Sequence, residues 1–184
     1  MANEPRRTIP VILDTDIGDD IDDTWALAML LKSPEIDLRM LITDYGNTEY
    51  RARLAAKYLE TADRADIPVA IGTHGADNVG PQEPWAEGYD LAKYPGEVRE
   101  DGVGALIDMI MESDEPITLC CIGPMPNIRE ALRREPEIAQ RARFVGMYGS
   151  VYKGYGNSRA DRELPCLGTR SDKHRSGNAQ QHAL

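Results

Sequence analysis

The chain has 184 residues and 20.4 kDa, with 41% hydrophobic and 28% charged residues, so it is long enough to bury one real core and is neither collagen-like nor wholly disordered. Its 31 acidic against 21 basic residues leave a net charge of −10, which disfavours a nucleic-acid backbone or an anionic membrane surface as partner and favours cations or neutral ligands. Three cysteines make no secreted disulfide framework, residues 1–10 lack the apolar stretch of a signal peptide, and no apolar run approaches the roughly 18–20 residues of a membrane span, so a cytoplasmic protein is expected.

In chain order, an apolar run rich in β-branched residues predicts a first strand over 9–13, followed by a carboxylate-rich turn and a helix over 22–32. The same alternation predicts strands over 38–43, 68–71, 117–122 and 143–147, with helices over 48–64, 103–112 and 127–134 between them. Strands that read apolar on both faces and alternate with helices imply an α/β fold: an open, mostly parallel sheet with helices on both faces. Between residues 72 and 101 this pattern stops, and Gly, Pro and the aromatics Trp85, Tyr89 and Tyr94 predict a long surface loop that is functional or mobile. From residue 157 onward only seven of 28 residues are apolar and the charge turns positive. Such a segment buries too little apolar surface to offset its ordering entropy, so residues 157–184 are expected to lie outside the packed fold.

The turn after the first strand reads Asp14-Thr15-Asp16-Ile17-Gly18-Asp19-Asp20-Ile21-Asp22-Asp23, six carboxylates in ten residues, and runs directly into the predicted helix. In an open α/β sheet this is the carboxyl end of a strand, where ligands bind. Carboxylates this dense repel one another unless protons or a cation intervene, and hard oxygen donors select Ca²⁺ or Mg²⁺. The ordinary alternative is a solvated turn whose aspartates cap the helix and complement its positive end. That suffices for one or two of them, such as Asp19 and Asp20, but not for Asp14, Asp16, Asp22 and Asp23 together. An EF-hand fails, because the twelfth position counted from Asp14 holds Trp25 instead of Glu. A haloacid-dehalogenase-type phosphotransferase also begins with a strand and Asp-x-Asp, with Asp14 as nucleophile and Asp16 as acid/base. It is the weaker competitor, since no later Asp-Asp pair follows an apolar strand.

The cluster followed by Tyr45-Gly46-Asn47, then Ile122-Gly123-Pro124-Met125-Pro126-Asn127-Ile128 and Val145-Gly146-Met147-Tyr148-Gly149, resembles the inosine-uridine-preferring nucleoside hydrolases, with four motifs in order from residue 9 to about 157. The resemblance implies a Rossmann-like core and Ca²⁺-dependent hydrolysis of the N-ribosidic bond of nucleosides to ribose and free base. With the register anchored on the helix start, Asp16 would be metal ligand and general base, Asp23 a second ligand with Asp20 as its fallback, and Ile122 a ligand through its carbonyl. Asp22 and Asn47 would bind the ribose, Met147 would line the sugar site and Asn157 would approach its 5′ end. Taken as residues alone, an Asn after Gly is also ordinary turn chemistry and a strand-end Met is ordinary core.

The family's later Glu-aromatic-Asn element and His-Asp pair have no counterpart in the sequence, and His74, His174 and His182 match none of its motifs. Residues 1–156 are therefore expected to form a partial nucleoside-hydrolase-like domain, truncated at its C-terminal side. Residues 157–184 are expected to be a disordered or aberrant tail, arising from a frameshift, missplicing or misprediction. The expected partner is a nucleoside, with neither nucleic acid nor membrane, and a homo-oligomer is compatible. The truncation implies impaired turnover, and the alternative function is a non-catalytic cation- and ribose-binding remnant. Cys120 and Cys121 are expected as small buried hydrophobes of the fourth predicted strand.

Overall fold

The computed structural model describes residues 8–148. Strands β1 (Ile9–Thr15), β2 (Ile36–Thr43), β3 (Val69–Ile71), β4 (Val98–Arg99), β5 (Ile117–Cys121) and β6 (Ala142–Gly146) form one sheet in the order β4-β3-β2-β1-β5-β6, with every pairing parallel. The chain leaves β1 toward β2, β3 and β4, then returns to lay β5 on the other side of β1. The order therefore reverses between β1 and β5, and the crevice outside their carboxyl ends is the topological switch point at which open α/β sheets bind ligands.

The central position of β1 explains its composition. Residues 10–15 are all buried, although successive side chains point to opposite faces, so both faces are covered. Val11 and Leu13 pack with Leu27 of helix α1 (Asp22–Lys32) and with Leu54 and Leu59 of helix α2 (Thr48–Thr61). Ile12 and Ile42, on the opposite face, are equally buried, and α4 (Gly102–Glu112) lies against β2 and β3 and packs on α5 (Pro126–Arg134).

Two expectations are corrected. The segment 72–101 is not structureless: it contains the short helix α3 (Glu83–Ala86), a single 3-10 turn at Leu91–Lys93 and the edge strand β4. It packs because its side chains find partners on the sheet side of the fold, among them Tyr94, whose buried hydroxyl donates to the Ile67 carbonyl at 2.8 Å. Nor is every strand buried on both faces, since β6, after the one-turn helix α6 (Ile138–Arg141), is an edge strand with Phe144 and Val145 exposed. Cys121 is buried and Cys120 half-buried, as their place on β5 requires. Asn157 and the expected tail over 157–184 lie outside the described residues. No described helix is long and apolar enough to cross a membrane.

Candidate functional site

The carboxyl ends of β1, β2 and β5 bring four aspartates together. Asp14, still within β1, is fully buried, and its Oδ1 accepts from Asn127 Nδ2 at 3.1 Å. Asn127, near the start of α5, also donates to the Thr43 carbonyl at 3.1 Å and accepts from the Thr73 backbone N–H at 2.7 Å. One amide thus ties together the ends of β1 and β2 and the segment after β3. Asp44 directly follows β2, and its N–H continues the ladder to the Thr15 carbonyl at 3.0 Å. Both of its carboxylate oxygens and Asp14 Oδ2 are buried without a donor. Asp14 and Asp44 lie within hydrogen-bonding reach of each other, a contact that two ionised carboxylates cannot satisfy. Burial pushes Asp14 up to about 7. Burial, and after it the charges of Asp14 and Asp16, hold Asp44 well above the ordinary carboxylate range.

Asp16 and Asp23 form the second pair. Asp23 is buried in the first turn of α1, where its Oδ2 accepts from the Thr15 hydroxyl at 2.5 Å. That hydroxyl in turn accepts from the Ile17 N–H at 3.1 Å, so the turn orients its own carboxylate. Asp16 hydrogen-bonds Asp23, and burial followed by the Asp23 charge pushes it up to about 7, with the Arg51 guanidinium acting in the opposite direction. Asp23 is raised too, chiefly by burial. The turn after β5 lies beside Asp14, Asp16 and Asp44: Ile122 N–H donates to the Asp14 carbonyl at 2.9 Å. A Cβ on Gly123 would fall 2.7 Å from Asp16 N, Asp16 Oδ1 and Asp44 Oδ1, so only glycine fits and both carboxylates border the same space.

The remaining expected residues fall as follows. Asp22 is exposed at the start of α1, and the helix has no side-chain cap, so Asp22 and Asp23 do not serve it in that way. Asp20 is exposed, its carboxyl raised by a hydrogen bond to Asp22, and its carbonyl accepts from Gln82 Nε2 at 2.6 Å. Asn47 caps α2, accepting from the Tyr50 N–H at 2.9 Å and donating to the Asp77 carbonyl at 3.2 Å. Its side chain therefore does the turn work that its place after Gly46 foretold. Ile122 is half-buried, while Met147, just past β6, is 60% exposed and donates its N–H to the Cys121 carbonyl at 3.1 Å. His74 pairs with Asp77 on the surface at 3.0 Å. Sequence reasoning gave no role to Asp44, to the buried Arg51 or to the Asn127 side chain. The available signal was periodicity for Arg51, which shares the α2 face of Leu54 and Ala55.

Among the described residues, no three His, Cys, Asp or Glu side chains stand in the arrangement of a metal centre, and the carboxylates meet in pairs. The donor chemistry still suits a hard divalent cation: all-oxygen, crowded and partly unpartnered, so that either protons or a cation must relieve it.

A family profile described as inosine-uridine preferring nucleoside hydrolase matches residues 11–167. The chain is 37% identical over 164 residues to a non-specific ribonucleoside hydrolase of Klebsiella pneumoniae, covering 79% of this chain and 51% of that protein. It is 31% identical over 177 residues to a probable uridine nucleosidase of Arabidopsis thaliana, covering 86% of this chain and 52% of that one. Its fold matches a plant nucleoside hydrolase with a TM-score of 0.69 at 28% identity, over 85% of this chain and 53% of that one. The chain spans about half the length of the curated relatives it matches.

Proposed function

Because the chain belongs to the inosine-uridine preferring nucleoside hydrolase family, we propose that its switch-point site hydrolyses the N-ribosidic bond of ribonucleosides with the aid of Ca²⁺. The observation that carries this reading is the Asp16–Asp23 carboxylate pair following β1, with Gly123 set tightly against Asp16 and Asp44. In this reading Asp16, Asp23 and the Ile122 carbonyl hold the ion, with Asp22 and Asn47 on the ribose hydroxyls. Met147 would line the sugar site, and Asn157, expected from the sequence at the 5′ end, lies outside the described residues. When bound, Ca²⁺ would fix vicinal ribose hydroxyls and a water near the anomeric carbon.

The chemistry explains the need for carboxylates. Breaking the C1′–N bond passes through an oxocarbenium-like state, which nearby negative charge stabilises. Ca²⁺ is a weak Lewis acid, so a neighbouring carboxylate must take the proton of the attacking water. Asp16 is that base. Neither the phosphotransferase nor the non-catalytic remnant is favoured by the comparisons, whose named relatives are nucleoside hydrolases and nucleosidases.

The test is ribose release from inosine and uridine with Ca²⁺ or chelator, beside calorimetric Ca²⁺ titration. The expected result is slow, chelator-sensitive release, lost in Asp16→Ala together with Ca²⁺ binding. Release of ribose from no ribonucleoside, or Asp16→Ala and Asp23→Ala binding Ca²⁺ as the parent does, overturns the assignment.

A further inference from the structure

We propose that Arg51 is a positioning residue of this site, its guanidinium holding the Asp16 loop and the Asn47 turn in a single arrangement. The proposal rests on the hydrolase reading for its catalytic meaning, but its geometry stands alone. Arg51 is 1% exposed in the first turns of α2, and a cation so far from water persists only where its donors are met. They are met by the backbone of the site. Nη1 donates to the carbonyls of Asp16 and Ile17, the latter at 2.9 Å. Nη2 donates to Asp19 Oδ2 at 3.1 Å, and Nε donates to the Tyr45 carbonyl at 2.7 Å.

One side chain therefore crosses between the loop after β1 and the turn after β2. That turn needs holding: Tyr45 has φ 53° and Gly46 has φ 65°, left-handed values that a tyrosine adopts only under constraint. Asn47 follows directly, and its cap on α2 starts the turn of helix that delivers Arg51 back to Tyr45. Residues 45–51 form a closed circuit whose outer arm grips Asp16. Arg51 also lies close enough to Asp16, Asp23 and Asp44 for its positive charge to act on each, offsetting their mutual repulsion. Being buried, it meets neither substrate nor solvent, so its influence passes through the groups it holds. Lysine would keep the charge but not the planar fork that reaches four acceptors in three directions.

The experiment uses the full chain and the variants Arg51→Lys and Arg51→Ala. Amide hydrogen exchange is read without metal or nucleoside, followed by Ca²⁺ titration. The expected result is faster exchange confined to peptides over residues 16–20 and 45–47, with β5 and α4 still protected, and a Ca²⁺ affinity about tenfold weaker in Arg51→Lys, as loss of a ligand-orienting contact typically gives. Millimolar guanidinium should restore affinity to Arg51→Ala where ammonium does not. Exchange and affinity at parent values in Arg51→Lys overturn the proposal. So does exchange that accelerates equally in β5 and α4, because Arg51 would then serve general stability. A parent that releases no ribose refutes the hydrolase reading, and a parent that binds no Ca²⁺ refutes the metal assignment; in either case the exchange pattern still decides the role of Arg51.

Discussion

Replacing Asn127 by alanine should cost more than its size suggests. The buried side chain makes three hydrogen bonds, to Asp14, Thr43 and Thr73, each worth about 1 kcal/mol net. Its loss also strips Asp14 of the amide that bonds it, leaving a second buried carboxylate oxygen unpaired beside Oδ2, at a further cost of about 1–3 kcal/mol. The sum, about 4–6 kcal/mol, is a large share of the 5–15 kcal/mol typical of a domain. Urea unfolding of parent and Asn127→Ala measures it, with Leu132→Ala on the exposed side of the same helix as the control. The loss should also depend on pH. Asp14 is pushed up to about 7, so at pH 5 it is largely protonated and tolerates the missing donor better than at pH 8. A change below about 1 kcal/mol, within the range of an ordinary surface substitution, would refute the reasoning, as would a cost that is the same at both pH values.

Gly123→Ala would drive a methyl into Asp16 and Asp44 at 2.7 Å; overpacking of about 1–3 kcal/mol is expected, with Ca²⁺ binding weakened at least tenfold by calorimetry, and an unchanged affinity would separate this turn from the site. Carboxyls raised in the folded state favour its protonated form. Their contribution is complete below their unfolded value near 3.8 and is lost as pH rises through about 7, so the metal-free protein should lose thermal stability across that window. Since a cation replaces those protons, Ca²⁺ should raise Tm more at pH 8 than at pH 5.5, and equal shifts in a thermal melt would contradict the carboxylate assignment.

The sheet was legible because its signals are local and repeated. The runs at 9–13 and 38–43 are apolar on both faces, and a central parallel strand needs just that. β4 escaped because two residues carry no period; it pairs only where β3 offers Val69 and Ala70. The acidic turn was legible by density, but its partition into two pairs was not, since the pairing depends on Asp44, which arrives from another strand and reads as a polar turn residue. Arg51 was hidden by its own type. A charged residue on an amphipathic helix ordinarily faces water, and the apolar register it shares with Leu54 and Ala55 has meaning only once carbonyls to receive it are known to lie above that face.

The bond between Asn127 and Asp14 joins residues 113 positions apart in sequence, across the reversal of strand order. A ribosome adding about 5–20 residues per second separates the two by roughly 6–23 s, during which β1 has already emerged. Until β5 is made, one long edge of an almost wholly apolar strand stays open to any neighbouring chain, a hazard that the finished sheet no longer carries. The same residues that end in the switch-point crevice therefore stay unsealed until β5 arrives. Slowing translation between the codons for residues 43 and 117 should favour aggregation or chaperone capture over correct folding, with no change in the sequence of the mature chain.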